Sequence, residues 1–189
     1  MPTHVAGVCG SLREESISRV ALRLALAAAE NAGATTDLVD LREVSLPLFD
    51  ADRRDAGDAP ELRERLRAAD AMVLATPVYH GSYGSPLKTA LDYAGFDEFE
   101  EKTVGLLAVS GGQFPVTALD HLRSVMRSLD AWVLPHQAAV PRSRDAVVDG
   151  ELADDDLRER VETLGRRVVG YANIEPDPVT FEAEQNEGA

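Results

Sequence analysis

The stretch Val5-Ala6-Gly7-Val8-Cys9-Gly10-Ser11-Leu12-Arg13-Glu14-Glu15-Ser16-Ile17-Ser18 runs from an apolar segment through a polar, glycine-containing turn into the start of a helical pattern. Residues 5–9 read as a buried strand, since a short apolar run ended by Gly suits a strand covered on both faces. Ile17, Val20, Ala21, Leu24 and Ala28 then repeat at helical spacing, with Ser16 as N-cap and Gly33 as a stop just past the end. Strand, turn and helix in this order open a βαβ unit.

The alternation continues outward from that unit. Residues 35–41 have the length and composition of a second strand, and a polar, Pro-containing connection over 42–60 follows as a candidate rim loop. A helix is expected over 60–69 with Pro60 in its first turn, and an apolar third strand over 71–76 leads into Pro77. The pattern predicts a short helix over 86–93, a strand over 103–109, a helix over 117–129, a fifth strand within 131–140 and a final amphipathic helix over 152–172. Asp154 to Asp156 suit the positive end of that last helix.

Five strands alternating with five helices call for a parallel sheet, because right-handed crossovers place helices on both faces. The fold class is therefore α/β, a flavodoxin-like doubly wound sheet of five parallel strands in the order 2-1-3-4-5, with its ligand expected beyond the carboxyl ends of the strands. Residues 1–174 form one domain in this reading. The acidic, Pro-containing tail over 175–189 has little to bury and is expected to be disordered.

At 189 residues the chain can bury roughly 70% of its unfolded surface as a single domain. No run of about 18 apolar residues and no basic-then-apolar leader is present, so a cytoplasmic protein without a membrane span is expected. Cys9 is the single cysteine, which excludes an intramolecular disulfide and a Cys-rich zinc site, and the histidines show no zinc-ligand spacing. The 33 Asp and Glu against 19 Lys and Arg give a net charge of −14, which argues against nucleic acid and anionic membranes as partners. Only Lys88 and Lys102 are lysines. Such a carboxylate-rich, lysine-poor surface resembles that of salt-accumulating halophiles, although a GC-rich genome would also favour Arg. The halophilic reading predicts a melting temperature that rises from low to molar KCl, as a Debye length of about 3 Å screens self-repulsion; a flat series refutes it.

The turn after the first strand has the chemistry of an anion site. Free amides and the helix dipole favour negative charge, hydroxyls from Ser11, Ser16 and Ser18 can donate to phosphate oxygens, and Arg13 can pair with two of them. Simple capping by Ser16 with a solvated Arg13 is the competing explanation. The spacing lacks G-x-G-x-x-G and G-x-x-x-x-G-K-[ST], and hydroxyls with one Arg suit a terminal phosphate monoester such as that of FMN better than a pyrophosphate. After the third strand, Pro77, Val78, Tyr79, His80, Gly81 and Ser82 form a loop able to present backbone amides and an aromatic wall to a flat heterocycle. After the fourth, Ser110, Gly111, Gly112 and Gln113 offer a second bare backbone surface. Tight turns alone could also account for these glycines. His80 can be read as a proton donor beside a reduced ring or as a loop residue bonded to backbone. Lys88 opposes the dipole of its helix and is expected to pair with Asp92.

These motifs together resemble the NADPH-dependent FMN reductase family, which includes azoreductase, quinone reductase and chromate reductase relatives. The resemblance spans nearly all of residues 3–172. It rests on a G-S-x-R-x-x-S-x-N pattern met from Gly10 to Ser18, on T-P-x-Y-x-x-S from Thr76 with L-K-x-A-x-D downstream, and on the turn from Ser110 to Gly112. Ser18 replaces the usual Asn, and Val78-Tyr79-His80 replaces a frequent Glu-Tyr-Asn. The resemblance implies that Ser11, Arg13, Ser16 and Ser18 hold the FMN phosphate and that Pro77 to Ser82 with Ser110 to Gln113 line its ring. It also implies NADPH or NADH as donor, a small-molecule electron acceptor, a homodimer or homotetramer, and no side chain acting as a catalytic residue. A flavodoxin-like electron carrier with a protein redox partner, or a nucleotide-binding domain that has lost flavin, are the alternatives.

Overall fold

The computed structural model describes residues 1–172 and Ile174; the tail expected over 175–189 lies outside the described residues. Its elements are β1 His4–Cys9, α1 Ile17–Asn31, β2 Thr35–Asp40, α2 Ala59–Ala68, β3 Ala71–Tyr79, β4 Ser82–Tyr83, α3 Ser85–Tyr93, α4 Phe96–Phe99, β5 Thr103–Val109, α5 Val116–Arg127, β6 Trp132–Val133, β7 Ala138–Val140, β8 Val147–Val148, β9 Glu151–Leu152 and α6 Asp155–Gly170. The main sheet is parallel in the order β2-β1-β3-β5, and both β6 and β7 pair with β5 at its far edge. β6 and β7 are the two pieces of the expected fifth strand, so the 2-1-3-4-5 order holds.

Alternation along β1 explains the two cores. Val5 and Cys9 face a layer built from α1 and α6, whereas Ala6 and Val8 face one built from α2, α3 and α5. Local signals place the helix ends. Ser16 caps α1 by accepting from the Arg19 N–H at 3.2 Å, Gly33 follows it at φ +93°, and Asp154 caps α6 by accepting from the Leu157 N–H at 3.0 Å.

Three features depart from the sequence expectation. The fifth strand breaks, because β7 lies five residue steps past β6 while the matching β5 positions are three apart. The two extra residues bulge around Pro135, which has no N–H to give a ladder. Leu152 belongs to the β8–β9 hairpin rather than to the last helix, which starts at Asp155. The connection after β2 folds back on itself through Ser45 and Asp58, which exchange two hydrogen bonds at 2.7 and 3.0 Å, and Phe49 packs edge-on against Tyr93. No residue of that connection lines the cavity described next, although Arg42 at its start reaches the turn after β1.

Candidate functional site

β1, β3 and β5 end at one rim, and their loops enclose a cavity of about 270 Å³. Gly10 is held at the end of β1 by its N–H to the Ala75 carbonyl at 2.7 Å, and a Cβ there would lie 2.8 Å from that of Leu87. The absent side chain lets the turn settle onto the start of α3.

Beyond Gly10 the turn directs its carbonyls away from the cavity. Arg19 donates to the carbonyls of Glu14 at 2.8 Å and Arg13 at 3.2 Å, and Arg42 donates to that of Leu12 at 2.7 Å. Arg19 is itself fixed by Asp40 at the end of β2, with Nε to Oδ2 at 2.5 Å. That carboxylate holds the guanidinium's pKa above its ordinary value, so the clamp stays charged at any working pH. Among the described residues, the N–H groups of Leu12, Glu14, Glu15 and Ser16 have no protein acceptor, and those of Ile17 and Ser18 belong to the open first turn of α1. Of these residues, Glu15, Ser16, Ile17 and Ser18 line the cavity. Ser18 is 2% exposed, lines the cavity, and its hydroxyl has no hydrogen-bond partner among the described residues. Cys9 lies beneath the turn; burial pushes its thiol pKa up, which keeps it protonated and unreactive.

Of the residues singled out from sequence, Ser11, Arg13, Ser16, Ser18, Pro77, Val78, Tyr79 and Gly111 line this one cavity. The remaining six sit beside it. His80 and Gly81, at φ +51° and +79°, are the two central residues of the turn joining β3 to β4, the conformation a two-residue hairpin needs. Ser82 hydrogen-bonds to Nδ1 of His121 on α5 at 3.0 Å, which ties the hairpin to that helix. Ser110 accepts from the Gly112 N–H at 3.0 Å, and the carbonyls of Ser110 and Gly112 accept from the N–H groups of Ser143 and Arg142, both at 2.9 Å. Gln113 is exposed. Lys88 pairs with Asp92, as its place in α3 requires.

Five further residues line the cavity: Glu15, Ile17, Val109, Ser143 and Arg144. The first three flank recognised positions. Ser143 and Arg144 come from a 3₁₀ turn over Ser143–Asp145, and only the pairing of β7 with β5 brings that turn to the rim.

Fold and site together define a flavodoxin-like α/β protein with a donor-lined crevice beyond the carboxyl ends of its central strands. The chain belongs to the NADPH-dependent FMN reductase family, whose pattern matches residues 3–145. FMN-dependent NADPH-azoreductase from Staphylococcus aureus is 40% identical over 119 residues, an alignment covering 61% of this chain and 63% of that protein. The matched part thus spans under two thirds of this relative's length. Two solved structures share the fold at low identity. An NADH:FMN oxidoreductase in its apo form matches with a TM-score of 0.74 at 21% identity, covering 92% of each chain. The NAD(P)H:(acceptor) oxidoreductase FerB from Paracoccus denitrificans matches with a TM-score of 0.75 at 20% identity, covering 90% of this chain and 97% of that one.

Proposed function

We propose that this chain is an NAD(P)H-dependent oxidoreductase that holds FMN at the rim cavity and reduces a small acceptor: a flavin, quinone, azo compound or metal oxyanion. The observation that carries the reading is one cavity lined by Ser11, Arg13, Ser16 and Ser18 together with the open first turn of α1. Such donors match the oxygens of a phosphate monoester. Ser11 and Ser16 border the same place, and Arg19 and Arg42 stabilise it by holding the turn's carbonyls outward. Ser18 fits this role although its side chain is shorter than the Asn it replaces.

Tyr79 is 52% exposed at the cavity wall and offers an aromatic face to a planar ring, and the space beside Gly111 is open, so a ring or donor can reach the backbone there. Pro77 and Val78 complete that wall. Bound FMN supplies the hydride chemistry, while the protein supplies orientation and electrostatics. No side chain acts as an essential acid or base in this reading.

Within this proposal the protein is cytoplasmic and salt-adapted, residues 1–174 form its FMN-binding domain, and it works as a homo-oligomer. No described helix is long and apolar enough to cross a membrane. Exposed Leu12, Phe114 and Val116, in or beside the cavity loops, offer apolar surface to a second copy.

Purified protein loaded with FMN tests the reading through its visible spectrum under anaerobic NADPH, with light scattering on the same sample. The expected result is a yellow oligomer that bleaches on adding the donor. Yellow protein that stays oxidised indicates an electron carrier, and failure to bind FMN removes the proposal altogether.

A further inference from the structure

Arg144 has no place in the turn that follows β1, yet it lines the same cavity as Arg13, Ser16 and Ser18. Among the described residues its guanidinium makes no ion pair and donates no hydrogen bond, and the residue is exposed. Its backbone, in contrast, is firmly held. The preceding N–H groups of Arg142 and Ser143 donate to the carbonyls of Gly112 and Ser110, and the turn closes through the Asp145 N–H to the Arg142 carbonyl at 3.0 Å. Arg142 reverses the chain there in the left-handed region, at φ 46° and ψ 48°.

Packing sets this turn on the α1 side of the sheet. Ala146 and Leu152, which follow the turn, are buried in the same core layer as α1, and Ile17 at the first position of α1 packs against that layer. Arg144 and the first residues of α1, Ile17 and Ser18, thus line one cavity from different segments. The charge balance there is incomplete without Arg144. A phosphate monoester carries about −1.5 to −2 at neutral pH. Arg13 supplies one positive charge and the helix end about half of one, but the Glu15 carboxylate lines the same cavity and opposes both.

We infer that Arg144 is a second phosphate-binding cation, closing over the monoester from the strand side while Arg13 and the α1 amides hold it from the turn side. This assignment rests on the proposed FMN site and adds to it a residue that reads the phosphate alone. It predicts that the chain prefers FMN to riboflavin partly through Arg144.

Quenching of flavin fluorescence by the full chain gives the test, with FMN and riboflavin titrated separately into wild type, Arg144→Gln and Arg144→Lys. Arg167→Gln, on the exposed end of α6, controls for the same change in net charge. Loss of one charge-assisted contact should raise the Kd for FMN about tenfold or more in Arg144→Gln. The Kd for riboflavin should stay within about twofold, Arg144→Lys should recover part of the loss, and Arg167→Gln should match wild type. Circular dichroism confirms that each variant is folded. An FMN Kd unchanged in Arg144→Gln overturns the assignment while leaving the FMN site intact, and so does an equal loss for both flavins. Wild type that binds neither flavin overturns the parent reading and this one together.

Discussion

Gly165→Ala should destabilise the protein by about 3 kcal/mol, although alanine is the better helix former by about 1 kcal/mol. Gly165 lies inside α6, and a Cβ there would stand 2.0 Å from the carbonyl oxygen of Ala25 on α1 and 2.9 Å from its carbonyl carbon. Both are backbone atoms, so no side chain can swing aside. The α1 face that meets α6 carries Ala21, Ala25 and Ala29, all fully buried, and the two helices approach closely because neither has bulk at the crossing. Relief would require moving α1 from α6 by on the order of 1 Å, which opens voids between both helices and the sheet. For a chain of this length that cost corresponds to a melting temperature lower by roughly 6–12 °C. Because the N-terminus of α1 carries the proposed phosphate amides, FMN binding should weaken in the same variant. Thermal or urea unfolding gives the measurement; a melting point at or above that of wild type would show that the helix crossing yields cheaply.

Arg13→Gln should have the largest effect on the cofactor, raising the Kd for FMN by about 10- to 100-fold through loss of a charged, forked donor. The turn should keep its shape, because its carbonyls are held by Arg19 and Arg42 rather than by the Arg13 side chain. Arg13→Lys keeps the charge but not the fork and should fall between the two. Riboflavin, which lacks the phosphate, should bind the variant nearly as well as it binds wild type. An FMN Kd within about threefold of wild type would place the phosphate elsewhere.

Much of this architecture was legible because the signals that define it are short. The β1 strand, its turn and the start of α1 occupy fourteen consecutive positions, from Val5 to Ser18, and the cap, the apolar spacing and the stop at Gly33 all lie within one helix length. The 2-1-3-4-5 order also followed, since regular alternation leaves few right-handed parallel topologies. Eight of the fourteen residues expected at the site share one cavity, because loops after neighbouring parallel strands must emerge at the same edge. The other six border the cavity without lining it. His80 and Gly81 turn a tight hairpin, and a Tyr-x-Gly-Ser-Tyr alternation around them was the available signal; Ser82, Ser110 and Gly112 spend their polar atoms holding loops in place.

The layered α/β class, the strand order and the polar turn after β1 follow from the amino-acid sequence alone, since each depends on periodicity and caps within about twenty residues. How that turn is held and what faces it depend on packing between distant segments. The Arg19–Asp40 clamp, the close crossing at Gly165, the bulge that splits the fifth strand and the arrival of Arg144 join segments far apart in the chain. Such pairings become favourable only after the sheet has brought their partners together, so no local pattern announces them.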